Sequence, residues 1–250
     1  MRKMRKRKCF LYFLLLYFFL PVFPTYADNN GTEGNLTALL GRPLQSQEIR
    51  EVVNKIKDVQ KGIDAISAVA YQRKKTPLLA KEIATEGTII LKRPNLLHWE
   101  VKSPERITII VDGKIMWIYH PDSQEAQKYI LSEQFIARQV MEFFSSAMDM
   151  SLEEMGKRFD VAVYNPNTSF VFEMRPKSSM AAKYLTAVYI WYKNGEGVPY
   201  KFEVLGKNGN TTIMELRDVV VNPSLKESLF YFDVPAEAII TNRENEGMGY

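Results

Sequence analysis

Adjacent carboxylates at Glu153 and Glu154, with Asp149 nearby, are this chain's nearest approach to an acid–base pair. Ser151 and Glu154 have the spacing of a capping box, however, and acidic residues at a helix start complement the helix dipole. That use accounts for both glutamates without catalysis. His98 and His120 each fall in a strand-like run and lack the spacing of zinc ligands, so satisfied or exposed strand histidines explain them. Cys9 opens an apolar run and lacks the small residues that precede a lipoprotein cysteine. No nucleophile elbow or phosphate-binding glycine loop is present. The sequence therefore predicts no catalytic residue, no metal and no cofactor, and a protein that is not an enzyme. Arg93 is the polar residue of greatest interest. It ends a strand-like run just before Pro94, and a guanidinium offers five fixed donors that can bond several carbonyls at once. A solvated charge at a strand end is the alternative.

The elements that must position these residues begin after a targeting segment. Residues 1–27 join a basic n-region of Arg2, Lys3, Arg5, Lys6, Arg7 and Lys8 to an apolar core from Cys9 to Leu20 and a small-x-small site at Thr25-Tyr26-Ala27. The pattern predicts a cleaved signal peptide and export. An uncleaved anchor is the competing reading, but the apolar run is shorter than the roughly 20 residues a spanning helix needs. Removing the segment takes 33 basic residues to 27 against 29 acidic, a net charge near −2. The whole-chain pI of about 8.9 thus belongs to the leader, which argues against nucleic-acid binding. Without Cys9 the mature chain has no thiol chemistry.

Residues 28–45 are polar and predict a flexible leader. From Ser46, offered as an N-cap, the residues Ile49, Val52, Val53, Ile56, Val59 and Ile63 recur at helical steps, predicting an amphipathic helix. Period-2 runs follow at Ala65–Lys75, Ala80–Arg93, Leu96–Lys102, Arg106–Val111, Lys114–His120 and Ala126–Leu131, joined by short connections that imply antiparallel neighbours. Glu133–Ala147 carries a helical stripe, and a short helix follows Ser151. Strands are then expected at Asp160–Tyr164, Ser169–Arg175, Leu185–Lys193, Tyr200–Leu205, Thr211–Asn222 and Ser228–Val234. The fold expected is mainly β with α (α+β): one antiparallel sheet in a single domain over 46–240, followed by a polar tail over 241–250. A sheet that large tends to curl.

Within this series the block from Gly87 to Pro121 is the most specific. Lys92-Arg93-Pro94-Asn95 is followed by Trp99, then Pro104, then Asp112-Gly113-Lys114, Trp117, Tyr119 and Pro121. In this order and spacing the chain resembles the LolA family of periplasmic lipoprotein carriers. The resemblance implies an open half-barrel with helices covering its concave face, and a carrier that shields acyl chains of lipoproteins in a lidded hydrophobic cavity. It implies Arg93 as the latch that hydrogen-bonds the lid across the cavity mouth, and Leu97, Trp99, Trp117, Phe143 and Phe144 as cavity residues. For the tryptophans, ordinary core packing is equally open. The partners implied are acylated lipoproteins, an inner-membrane lipoprotein-releasing ABC transporter and an outer-membrane receptor, for a monomer working in the periplasm. Two other functions fit the same residues: a LolA-like domain that binds glycolipid or senses lipoproteins, and a periplasmic all-β hydrolase with scattered catalytic residues. The segment Glu133–Phe159 looks longer and more helical than in familiar carriers.

Overall fold

A computed structural model of the chain describes residues 39–77, 79, 81–133 and 152–242. The targeting segment, Phe143, Phe144 and all but the first residue of the helix expected over Glu133–Ala147 lie outside these residues. Helix α1 (Ser46–Gln60) is followed by β1 (Ala65–Lys75), β2 (Ile83–Lys92), β3 (Leu96–Ser103), β4 (Ile107–Asp112), β5 (Ile115–His120) and β6 (Glu125–Ile130). Then come α2 (Leu152–Arg158), β7 (Phe159–Tyr164), β8 (Ser169–Pro176), the one-turn α3 (Ser179–Ala182), β9 (Leu185–Lys193), β10 (Pro199–Gly206) and β11 (Thr211–Val221). A 3-10 turn (Glu227–Phe230) and β12 (Ile239–Asn242) end the series. The protein is mainly β, with few helices among the described residues. Among the described residues twelve strands share one sheet in the order β12-β6-β5-β4-β3-β2-β1-β11-β10-β9-β8-β7.

Helix α1 forms where the apolar period predicts it, and Val52, Val53 and Ile56 are buried. Val59, expected on the same face, is exposed, and Gln60 is buried in its stead. The cap differs by one residue from the expectation. The Gln45 carbonyl accepts from the Ile49 N–H at 2.9 Å, and the Gln45 N–H donates to the Glu48 carboxylate at 2.7 Å. Gln45 rather than Ser46 is therefore the N-cap, held by the return bond of a capping box.

The described residues divide into two compact units, one falling within 1–57, 73–83 and 150–214, the other within 58–72, 84–149 and 215–250. In the second unit, β2 to β6 pair antiparallel in turn. The register aligns Ile89, Trp99, Ile109, Ile118 and Gln127 across five strands, and Leu91, Leu97, Val111, Met116 and Tyr129 beside them. All ten are buried. Ile90, His98, Ile110, Trp117 and Lys128 align on the opposite face. At the β4–β5 turn, the Asp112 carboxylate accepts from the N–H groups of Lys114 and Ile115. Gly113 there has φ +93°, and a Cβ at this position would meet the Asn95 side chain at 2.9 Å.

Two expectations for the C-terminal part are corrected. Ser228–Val234 is not a strand: the 3-10 turn closes through the Tyr231 N–H to Ser228 carbonyl bond, and Phe230 is buried with 1 % of its surface exposed. A tight turn aims Phe230 and Phe232 toward the sheet, which an extended run with alternating faces would also allow, but it uses the Leu229 carbonyl as an acceptor for His98 rather than for a ladder partner. The sheet is also mixed, not purely antiparallel. Residues beyond 238 pair parallel with β6, from Ile239 beside Glu125 to Asn242 beside Lys128.

In the first unit, β7 to β10 pair antiparallel in turn. Tyr164, Val171, Ala187, Tyr189, Trp191 and Leu205 form a buried cluster that also contains Leu40, from the segment expected to be a flexible leader.

Candidate functional site

Arg93 follows β2 at the start of the Lys-Arg-Pro turn. Its backbone N–H donates to the Asp64 carbonyl at 2.8 Å, and a guanidinium nitrogen donates to the Gln60 carbonyl at 3.1 Å. Gln60 is the last residue of α1, so the positive group meets the negative end of a helix dipole, at a terminal carbonyl that also accepts from the Ile63 N–H at 3.0 Å. Arg93 is thus tied twice to the connector between α1 and β1. Beside it, Lys92 pairs with Glu227 of the 3-10 turn.

Leu97 and Trp99 lie two residues apart on β3 and share one face, with exposures of 2 % and 5 %. The expectation that Trp117 lines the same face is not met. Trp117 aligns with Ile110 and His98 on the opposite face, half-buried, with its ring 5.3 Å from Phe232 and the Lys128 ammonium 5.6 Å away. Tyr119 also packs on Phe232, at 5.4 Å. The structure therefore brings Leu97 and Trp99 together, sets Trp117 apart from them, and places Arg93 at the end of the adjoining strand.

His98 matches the structural reading made of it. His98 is buried; its Nδ1–H donates to the Leu229 carbonyl at 2.6 Å, and Nε2 faces the Glu100 carboxylate at 3.2 Å. His120 has its ionisation pushed below the usual imidazole range by burial, an effect opposed by Glu125 and Glu105. Glu153 and Glu154 are exposed in the first turn of α2 and pair with Lys157, as residues serving a helix would. Among the described residues no group of three or more His, Cys, Asp or Glu could hold a metal ion.

A polar site that sequence reasoning missed lies in the first unit. Glu173, 4 % exposed, accepts from the Tyr164 hydroxyl at 2.7 Å, the Tyr189 hydroxyl at 3.3 Å and Arg175 Nε at 2.7 Å. A second Arg175 nitrogen lies 2.6 Å from the same carboxylate. Burial first, and then the bond to and charge of Glu173, push the Tyr164 phenol up to about 12. With three donors on one oxygen and one on the other, the carboxylate ties three strands together, and its role is cohesion. The signal in the sequence was a lone acid between Phe172 and Met174, with Arg175 next in the same strand.

Asn222, just after β11, was missed as well. Its Oδ1 accepts from the Asp64 N–H at 2.8 Å and the Ala65 N–H at 3.2 Å, and its Nδ2 donates to the Gly62 carbonyl at 2.7 Å.

The family described as outer membrane lipoprotein carrier protein LolA matches residues 61–233. An outer-membrane lipoprotein carrier protein of Histophilus somni (strain 2336) is 29 % identical over 80 % of this chain and 92 % of its own length. One from Shewanella sp. (strain MR-7) is 26 % identical over 76 % of this chain and 82 % of its own. A solved LolA superfamily protein from Nitrosomonas europaea overlaps 73 % of this chain and 97 % of its own at 14 % identity, with a TM-score of 0.40. The matched span holds the Lys-Arg-Pro turn, the strands of the Gly87–Pro121 block and the 3-10 turn, and on that match the chain belongs to the LolA family.

Proposed function

We propose that this protein is a periplasmic carrier that takes acylated lipoproteins from an inner-membrane ABC transporter, shields their acyl chains, and passes them to an outer-membrane receptor. In this reading the sheet curls into an open half-barrel, helices cover its concave side, and the face that carries Leu97 and Trp99 receives the chains. The bond from Arg93 to the carbonyl at the end of α1 is the observation that carries the proposal, because a latch on a helical cover has to end on the cover's backbone. Such a charge-assisted bond is worth about 1.5–3 kcal/mol. That magnitude holds a cover closed in the empty protein and yields to a ligand that buries several methylenes, at about 0.8 kcal/mol each.

Carriage of this kind needs no covalent step and no cofactor. Release requires an acceptor that offers the acyl chains equal burial, and the latch then returns the empty carrier to its closed form. Among the described residues no helix is long and apolar enough to cross a membrane. The names of the curated relatives support lipoprotein as the cargo class.

The test is transfer of a fluorescently labelled lipoprotein from purified protein to a receptor or acceptor membranes. Arg93→Leu is expected to load normally and release poorly, since loss of the latch favours the open, loaded form. Arg93→Lys is expected to be intermediate, because an ammonium keeps the charge without the planar fork. Wild-type transfer by Arg93→Leu would refute the latch. Mass spectrometry of co-purified material separates carriage of lipoprotein from carriage of free glycolipid, which differ in mass.

A further inference from the structure

Asn222 meets the same short connector as Arg93, from β11 rather than from β2. The connector runs from the end of α1 at Gln60 to the start of β1 at Ala65. Along it, the Gly62 carbonyl and the N–H groups of Asp64 and Ala65 bond the Asn222 side chain, and the Ala65 carbonyl accepts from the Asn222 N–H at 2.8 Å. The Gln60 and Asp64 carbonyls accept from Arg93. The Asn222 amide oxygen takes both the Asp64 and the Ala65 N–H, and none of these connector groups is bonded by both residues, so Asn222 and Arg93 divide the connector's backbone between them. An amide side chain suits this task because its oxygen accepts twice while a separate nitrogen donates; a carboxylate has no donor, and a hydroxyl must serve both roles from one atom. Asn222 also adopts φ +50°, a left-handed conformation in which asparagine is several-fold enriched among non-glycine residues.

From this geometry we infer that Asn222 is a positioning residue for the Arg93 latch. By holding Gly62, Asp64 and Ala65, it sets where the Gln60 carbonyl stands relative to the guanidinium. The inference rests on the carrier reading above for its functional consequence, and on the hydrogen bonds alone for its structural one. Asn222 bonds the connector's backbone, and through it governs whether the latch finds its acceptor.

The experiment pairs Asn222→Gly with Arg93→Leu. Glycine accepts the positive φ, so Asn222→Gly removes the side chain without adding backbone strain. Hydrogen exchange at the Asp64 and Ala65 amides of the empty protein is expected to quicken about tenfold in Asn222→Gly, the loss of roughly one net hydrogen bond. Transfer of labelled lipoprotein should slow in the same direction as in Arg93→Leu. The double variant should be no slower than Arg93→Leu alone, because residues that act as a unit are not additive. Asn222→Asp, which keeps the acceptor and loses the donor to Gly62, should recover part of both effects. A residue of purely structural value would lower thermal stability and give additive losses. Additive transfer defects, or wild-type exchange and transfer in Asn222→Gly, would overturn the inference. If Asn222→Gly does not fold, the same double-variant comparison made with Asn222→Asp decides it. Should the wild-type protein carry no acyl cargo, the carrier reading fails, while non-additive exchange in the two variants still establishes the shared clamp.

Discussion

At the scale of single residues, the two tryptophans separate what the strand alternation could show from what needed the register. Trp99 and His98 stand on opposite faces, as adjacent strand residues must. The face on which Trp117 falls depends on how many residues the Asp112-Gly113-Lys114 turn absorbs, and the observed pairing of Ile110 with Trp117 puts it with His98. An acidic substitution at Trp99 is therefore expected to weaken binding of a fluorescent fatty-acyl probe at least about tenfold, since a charge on an apolar ligand face costs several kcal/mol. The same change at Trp117 should leave probe affinity near wild type and instead loosen the Phe232 contact. Circular dichroism has to show a native fold in both, and equal losses of affinity would remove Trp99 from the ligand face. Arg93 was legible because its flanking motif is local. Asn222 was not, since its partners lie 157 to 160 residues away in sequence and an asparagine before Pro223 reads as an ordinary turn. Glu173 was hidden for a related reason: the hydroxyls that satisfy it come from β7 and β9, and only the pairing of three strands gathers them.

At the scale of elements, what the sequence conveyed best was the set of strands from β1 to β11. Their apolar residues alternate, and Gly87, Gly113 and Gly209 mark bends or turns that demand them. Gly87 sits at a register shift of β2 against β3, where a Cβ would come within 2.0 Å of the Glu100 carbonyl oxygen. The C-terminal elements were less legible. Phe230 and Phe232 suggested alternation, but two prolines bracket the segment, and packing onto an already formed sheet decided its shape. The contrast in burial between the 3-10 turn and β12 makes an expectation. Phe230→Ala should destabilise the protein by about 3–5 kcal/mol in urea unfolding, the usual cost of emptying a buried aromatic site. Ile240 is 51 % exposed, and Ile240→Thr should stay within about 0.5 kcal/mol of wild type. Equal effects would mean that β12 buries more in solution than its exposure indicates.

At the scale of the whole molecule, charge and apolar surface divide the work. Basic residues concentrate ahead of Thr25-Tyr26-Ala27, and the remainder is almost neutral, with its surface charges arranged as short pairs such as Arg106–Asp122, Lys61–Asp58 and Arg217–Glu215. Exposed pairs of this kind contribute little to stability. A net charge this small gives little long-range attraction to an anionic membrane surface, so a carrier built from this chain would meet membranes through its partners and its cargo. The basic leader would alter that balance if it remained attached. The expectation is therefore that protein recovered from the periplasm begins at Asp28, after a small-x-small site of the kind signal peptidase recognises. This protein should fail to sediment with anionic vesicles when it carries no cargo. N-terminal sequencing and a vesicle sedimentation assay check the two halves independently. A start at Met1 in the membrane fraction would contradict a freely diffusing carrier, and vesicle binding by the cleaved, empty protein that disappears at high salt would show a charged surface that the formal count of residues does not disclose.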